Sequence, residues 1–273
     1  MAWEILLSSL ALSVVILFPL SLKWKIPVRI SVPSSITIGA LAGLLISGIK
    51  GVDHIKILYF LILQALIILA LFATFLLWRF YRNPERIPPE DVNAILSPAD
   101  GKVIYVKRYE AGIVPYSEKN GKRLLLNEFI QSDVLSKAGH IIGISQNFLD
   151  VHVNRAPISG HVSIIRYIKG AFISLKKQDA VIRNERALTV IENSHIRVGI
   201  VQIASRMVRN IRIYFREGQE IRRGERLGMI RFGSQVDLIL PSLPPINIEI
   251  MPGYYVKAGV SIVARITGDS RSR

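Results

Sequence analysis

Between Ile57 and Phe80 the chain reads "ILYFLILQALIILALFATFLLWRF", a run that no soluble domain of this size would keep in water. About 20 apolar residues in a helix cross the hydrocarbon core of a bilayer, so this segment alone commits the chain to a membrane-attached helix. Two further apolar runs precede it. Trp3 to Leu22, "WEILLSSLALSVVILFPLSL", is interrupted only by Glu4 and Pro19, and is also long enough to span. Ser34 to Ile49, "SSITIGALAGLLISGI", is shorter and rich in Gly and Ser. A cleaved signal peptide fits poorly, because no basic residue precedes the first run. Residues 1–80 are therefore expected to form membrane-anchoring helices, either spanning or lying within one leaflet.

Charge supports the same placement. The chain has 35 Lys and Arg against 20 Asp and Glu, a net charge of +15, and no cysteine, which excludes disulfides and thiolate chemistry. A basic domain tied to an apolar leader points to an anionic lipid surface as its partner. Nucleic acid is not expected, since the basic residues are dispersed without interleaved aromatic platforms. Lys23, Lys25 and Arg29 follow the first run, and Arg79, Arg82 and Arg86 follow the third. If all three runs span, this bias puts the remainder of the chain on the cytoplasmic side of the cell membrane.

Beyond residue 80 the pattern changes. "YRNPERIPPED" (Tyr81 to Asp91) reads as an exposed linker. Short β-like runs then recur, among them "KVIYV", "IIGIS", "HVSIIRYI", "LTVIEN", "IRVGIVQIA", "INIEI" and "SIVARI", with a helical period only near Phe129 to Lys137. Residues 81–273 thus predict a mainly β domain, a β-sandwich or barrel-sandwich, behind an N-terminal α-helical leader. A weak repeat reinforces this: "GQEIRRGERLGMI" begins at Gly218 and "GYYVKAGVSIVAR" at Gly253. Such Gly-x-x-[Ile/Val]-[Lys/Arg]-x-Gly turns suit biotinyl- or lipoyl-like sandwiches.

Three segments could carry chemistry. "ILSPADGKV" puts Asp100 in a tight turn, and "DVHVNRAPISGHV" places His152 and Arg155 ahead of Pro157. In "MIRFGSQVDLILP" a Gly233-Ser234 pair sits inside what reads as one half-buried strand, with Val236, Leu238 and Leu240 alternating against Gln235 and Asp237. The other histidines, His54, His140, His161 and His195, stand singly without metal-ligand spacing, and "RNER" (Arg183 to Arg186) reads as a structural turn. A Ser/His/Asp hydrolase would share these residue types but lacks a G-x-S-x-G elbow. A non-catalytic membrane adaptor would fit the repeat and the leader, but has no need of the three motifs together.

Together the motifs have a precedent. "RFYRNPER", "LSPADGKV", "VHVNRAPISG", "RNERALTVI", "VQIASRMVRNI", "EGQEIRRGERLGMIRFGSQVDLILP" and "VKAGVSIVARI" occur in this order from residue 79 to 266. In these blocks the chain resembles the pyruvoyl-dependent phosphatidylserine decarboxylase proenzymes of the short bacterial and archaeal type. The resemblance implies self-cleavage between Gly233 and Ser234, giving residues 1–233 and a 40-residue fragment, 234–273, that stay associated. It implies that Ser234 becomes a pyruvoyl group, so that neither pyridoxal phosphate nor a metal is required. The pyruvoyl ketone would form a Schiff base with the amine of a serine-headgroup lipid and take up the electrons released with CO2, yielding the ethanolamine lipid. The lipid could be diacyl or an archaeal diether, and a homodimer is the assembly suggested.

Residue by residue, Ser234 matches the nucleophile and Asp100 the acidic member of a Ser-His-Asp-like set. Relatives carry H-x-x-H ahead of the proline; here His152 holds the first position and Arg155 the second. Arginine is no general base. Either His152 serves both maturation and decarboxylation, or Asp100 activates Ser234 with little help. The reading favours His152 mainly in decarboxylation, leaving its part in cleavage open. Arg155 is then a candidate for the substrate carboxylate or phosphate, and Arg82, with Arg86, for a position at headgroup level.

Overall fold

The computed structural model describes residues 2–23, 26–49, 51–52, 55–111, 113–119, 122–125, 129–130, 135, 137–171, 173–175, 180–205, 211–230 and 234–267, with backbone only at 114–119, 122–125 and 234. His54 and Gly233 lie outside them. The chain forms two units, Met1–Arg82 and Asn83–Arg273.

The first unit holds three helices, α1 (Ala2–Lys23), α2 (Val28–Ser47) and α3 (Ile57–Tyr81), each long and apolar enough to cross a membrane. Their buried positions recur every fourth residue: Ile5, Ser9, Ser13, Leu17 and Ser21 on α1, and Gln64, Ile68, Phe72, Leu76 and Phe80 on α3. Among lipid tails apolar burial gives no drive, so helices associate through small residues and buried polar contacts. Gly39 of α2 faces Ser13 so closely that a Cβ there would lie 2.4 Å from Ser13 Oγ. Gln64 Nε2 donates to Ser8 Oγ (2.7 Å) and Ser9 Oγ (2.9 Å). Large apolar side chains such as Leu58, Leu66 and Trp78 point outward.

The second unit is mainly β. Its strands are β1 (Ala94–Leu96), β2 (Gly101–Tyr109), β3 (Ile113–Lys119), β4 (Lys122–Leu125), β5 (Gly139–Gln146), β6 (Val153–Arg155), β7 (Gly160–Ile168) and β8 (Arg186–Glu192). There follow β9 (Arg197–Ala204), β10 (Ile211–Ile213), β11 (Glu220–Ile221), β12 (Arg226–Ile230), β13 (Ser234–Pro241), β14 (Ile246–Ile248), β15 (Tyr255–Val256) and β16 (Ile262–Ile266). An eight-stranded antiparallel sheet has the order β11-β7-β8-β9-β13-β5-β2-β15. Two three-stranded sheets, β1-β16-β14 and β10-β12-β6, contribute Ile95, Val263, Leu227 and Ile230 to the core that Ile144, Ile200, Val236 and Leu238 form on one face of the large sheet. A second core, with Tyr109, Phe129, Ile141, Leu188 and Ile239, covers the other face.

This packing changes the reading of β13. It lies between β9 and β5 and is covered on both faces, so Gln235 and Asp237 are buried rather than solvent-facing. The Tyr105 hydroxyl lies 2.8 Å from both Asp237 carboxylate oxygens, and Gln235 Nε2 donates to Tyr105 Oη (2.6 Å) and Asp237 Oδ1 (2.8 Å). Gly143 makes this possible, because a Cβ there would fall 2.2 Å from the Tyr105 ring.

The sequence repeat is a structural repeat. Gly218 and Gly224 have φ of 84° and 81°, Gly253 and Gly259 of 103° and 69°, so both copies turn through left-handed glycines around a two-residue strand. The segment read as an exposed linker is a pinned strap. Arg155 Nη2 holds the Pro84 carbonyl (2.9 Å), Arg223 Nη2 that of Pro89 (2.7 Å), and Arg223 Nη1 that of Asp91.

Candidate functional site

β12 ends at Ile230 in a small sheet, and β13 begins at Ser234 in the large one. The chain therefore passes from one sheet to the other between Ile230 and Ser234. Ser234 stands opposite Gln146 of β5 and Ala204 of β9. Both neighbours are braced. Gln146 Nε2 donates to the Val151 carbonyl (3.0 Å), while Asn184 of "RNER" donates through Nδ2 to the Ala204 carbonyl (2.9 Å), and Ala204 N donates to the Glu185 carbonyl (2.9 Å). "RNER", read as a structural turn, instead runs from the end of a short helix, Ala180–Arg183, into β8, and Arg186 is tied to the carbonyls of Phe129, Ile182 and Asn184 rather than to its glutamate.

The same bracing fixes His152. It follows Val151, is fully buried, and its carbonyl accepts from Ile230 N (3.3 Å), at the end of the strand that leads into the crossing. His152 Nδ1 lies 2.9 Å from the Asp150 carbonyl. A carbonyl only accepts, so Nδ1 carries the proton and the lone pair of the neutral ring is on Nε2. Asp150 is itself held by Asn147 N (2.7 Å) and by the Tyr255 hydroxyl.

Asp100 is placed differently from a third member of a hydrogen-bonded triad. Arg86 grips it at both oxygens (2.5 and 2.8 Å), and Ala258 N donates to Oδ1 (2.8 Å). Arg86 Nη1 also holds the Ala258 carbonyl (2.7 Å). Asp100 leads into β2, which is separated from β13 by β5, about 10 Å across the sheet. Its carboxylate thus joins the "PADG" turn to a residue downstream of Ser234.

Arg155 is buried at 4 % exposure, and its two terminal nitrogens donate to the carbonyls of Gly224 (2.8 Å) and Pro84 (2.9 Å). Burial, and then the charges of Arg86 and Arg226, hold its pKa below the usual guanidinium value. These arginines line a groove of about 540 Å³ with Arg222, Arg223, Glu85 and Glu225. Arg82 ends the helical unit, whereas Arg86 belongs to the β unit and is engaged by Asp100. Another cavity, of about 640 Å³, is lined by Asn193, His195 and Arg223. It shares Arg223 with the groove, while its Asn193 and His195 lie at the opposite end of β9 from Ala204, about 20 Å along the strand.

Two amides that sequence reasoning passed over complete the arrangement. Gln202 of β9, opposite Val236, donates through Nε2 to Asn154 Oδ1 (2.7 Å) in β6. Asn154 in turn faces the Pro98 carbonyl (3.4 Å), which accepts Arg155 N at 2.9 Å. "SPADG", "VHVNRAP" and "VQIA" therefore meet beside the crossing. Among the described residues no group of three or more His, Asp or Glu side chains is placed to hold a metal ion.

Comparison with known proteins fits these motifs. The family model described as phosphatidylserine decarboxylase matches residues 72–264. A protein of Methanocaldococcus jannaschii with the provisional name archaetidylserine decarboxylase proenzyme is 40% identical over 185 residues, covering 68% of this chain and 87% of that one. A Methanothermobacter thermautotrophicus protein with the same provisional name is 38% identical over 189 residues, 68% of this chain and 79% of the relative. The phosphatidylserine decarboxylase proenzyme of Desulfotalea psychrophila is 35% identical over 204 residues, 74% and 85% of the two chains. The adaptor and hydrolase readings are thereby set aside. A buried histidine at a sheet crossing, three interlocked motifs and a match over most of the chain lead to one conclusion: this protein belongs to the phosphatidylserine decarboxylase family of carboxy-lyases.

Proposed function

We propose that the chain is a proenzyme that cuts itself between Gly233 and Ser234, turns Ser234 into an N-terminal pyruvoyl group, and decarboxylates a membrane lipid with a phosphoserine headgroup. The observation that carries this reading is the junction itself: Ile230, whose amide donates to the carbonyl of buried His152, ends a strand of one sheet, and Ser234 opens a strand of another. The relatives named for archaetidylserine and phosphatidylserine support the headgroup.

In self-cleavage Ser234 Oγ adds to the Gly233 carbonyl carbon, the C–N bond breaks, and the hydroxyl proton passes to the departing nitrogen. His152 Nε2 carries that proton, since Nδ1–H is committed to the Asp150 carbonyl. Loss of the Ser234 α-proton then expels Gly233 as a carboxylate, and hydrolysis with one water releases ammonia. The finished pyruvoyl group supplies a ketone that accepts the electron pair freed with CO2. His152 remains placed to return a proton to the product. This gives it both tasks, a wider role than the sequence favoured, because Asp100 is committed to Arg86 and Ala258. Asp100 acts by positioning, tying the two pieces together. The groove of Arg86, Arg155, Arg222, Arg223 and Arg226 attracts the anionic headgroup, with Arg155 contributing charge while its terminal nitrogens stay on carbonyls. The three helices hold the enzyme at the membrane, with the β unit on the cytoplasmic side.

Intact mass of the purified protein tests the reading. Two pieces are expected, ending at Gly233 and starting at residue 234, the smaller lighter by one ammonia and blocked to Edman degradation. Decarboxylation is then assayed with diacyl and diether serine lipids. A single intact chain in an active preparation, or CO2 release by Ser234→Ala, overturns it.

A further inference from the structure

Gln202 is fully buried. It lies on the same face of β9 as Val198, Ile200 and Ala204, the face turned toward the small sheets. The direction of its amide is dictated from the far end of a short relay. Pro98 offers a carbonyl, which only accepts, so Asn154 turns its nitrogen there and its oxygen to Gln202. Gln202 answers with Nε2, and its own Oε1 is left facing away from Asn154. Gln202 Oε1 has no hydrogen-bond partner among the described residues. A buried carbonyl oxygen without a donor is uncommon and unfavourable, and residues from three separate motifs combine to create this one.

We propose that Gln202 Oε1 is the acceptor for the nitrogen attached to the α-carbon of residue 234. The inference rests on the reading above. Before maturation that nitrogen is the Ser234 nitrogen as it leaves Gly233; afterwards it is the headgroup amine of the substrate, which must reach the same carbon. The register supports it: Ser234 stands opposite Ala204 and Val236 opposite Gln202, so Gln202 and residue 234 are diagonal neighbours, about 7–8 Å apart at Cα and within reach of a glutamine side chain. The residue type supports it as well. A carboxylate would hold the amine as an ammonium ion, which cannot attack a ketone, whereas a neutral carbonyl orients the N–H and leaves the nitrogen lone pair available.

The test follows maturation of freshly made full-length chain by intact mass, with circular dichroism to confirm folding. Gln202→Leu is expected to slow the appearance of the 234–273 fragment about tenfold or more. Gln202→Glu, when protonated, copies the amide: its O–H donates to Asn154 and its carbonyl takes the place of Oε1. Its maturation rate relative to wild type should therefore rise as the pH falls from 8 to 5, and this comparison within one variant holds even if Gln202→Leu does not fold. Wild-type rates in Gln202→Leu, or a pH profile of Gln202→Glu parallel to wild type, overturn the inference. A wild-type chain that never cleaves overturns the functional reading instead.

Discussion

At Arg155 a guanidinium directs both terminal nitrogens to main-chain carbonyls, and at Asp100 a carboxylate is enclosed by Arg86 and an amide of the C-terminal segment. Sequence could select both residues, because their motifs are distinctive, but it could not say what each side chain touches; that depends on partners from 14 to 158 positions away. His152 is the reverse case: its burial and its tautomer sharpen the role proposed for it. Replacing it by Gln should slow both fragment formation and CO2 release by about a hundredfold or more, the usual contribution of a positioned acid–base group, as read by mass and by product assay. His140 offers a pH-dependent test away from the site. It stands opposite Arg108 across the β2–β5 ladder, and burial, followed by that charge, lowers its pKa. The unfolded chain then binds the proton more readily, so this contribution to stability is present above about pH 6.5 and declines as the pH falls below it. His140→Gln should give a shallower loss of Tm between pH 7 and 5 than wild type shows.

Among elements, β13 is the most instructive. Its alternation was legible, but its surroundings were not: Gln235 and Asp237 read as solvent-facing, whereas Tyr105 crosses the bare backbone of Gly143 to reach them. A glycine in "IIGIS" signals a close approach without saying what approaches. Gly143→Ala should therefore displace the Tyr105 ring and lower stability by about 1–3 kcal/mol in chemical denaturation. Little or no change would show that the ring relocates at low cost. The break between β12 and β13 was likewise invisible in "GMIRFGSQVDLILP", since period-two alternation records which face is apolar and not which sheet a strand joins. The three helices, the β-like runs and the glycine repeat were all legible, because each depends on local periodicity or on backbone freedom that glycine alone supplies.

At the scale of the whole molecule, the proposed cut leaves its products interlocked. All eight residues of β13 pair with β5 and six pair with β9, while β15 and β16 pair with β2 and β1. The fragment 234–273 should therefore co-elute with 1–233 in detergent without denaturant and separate only on unfolding; early loss of the small piece would contradict this arrangement. The crossing itself has a further consequence. Ile230 and Ser234 reach their places only after β12 has found β6 and β13 has been threaded between two strands far apart in sequence. If the cut is made as proposed, arming the enzyme certifies its assembly: a misfolded copy stays inert, and one that has fired cannot be reset, so every active molecule carries a permanent record of having been built correctly.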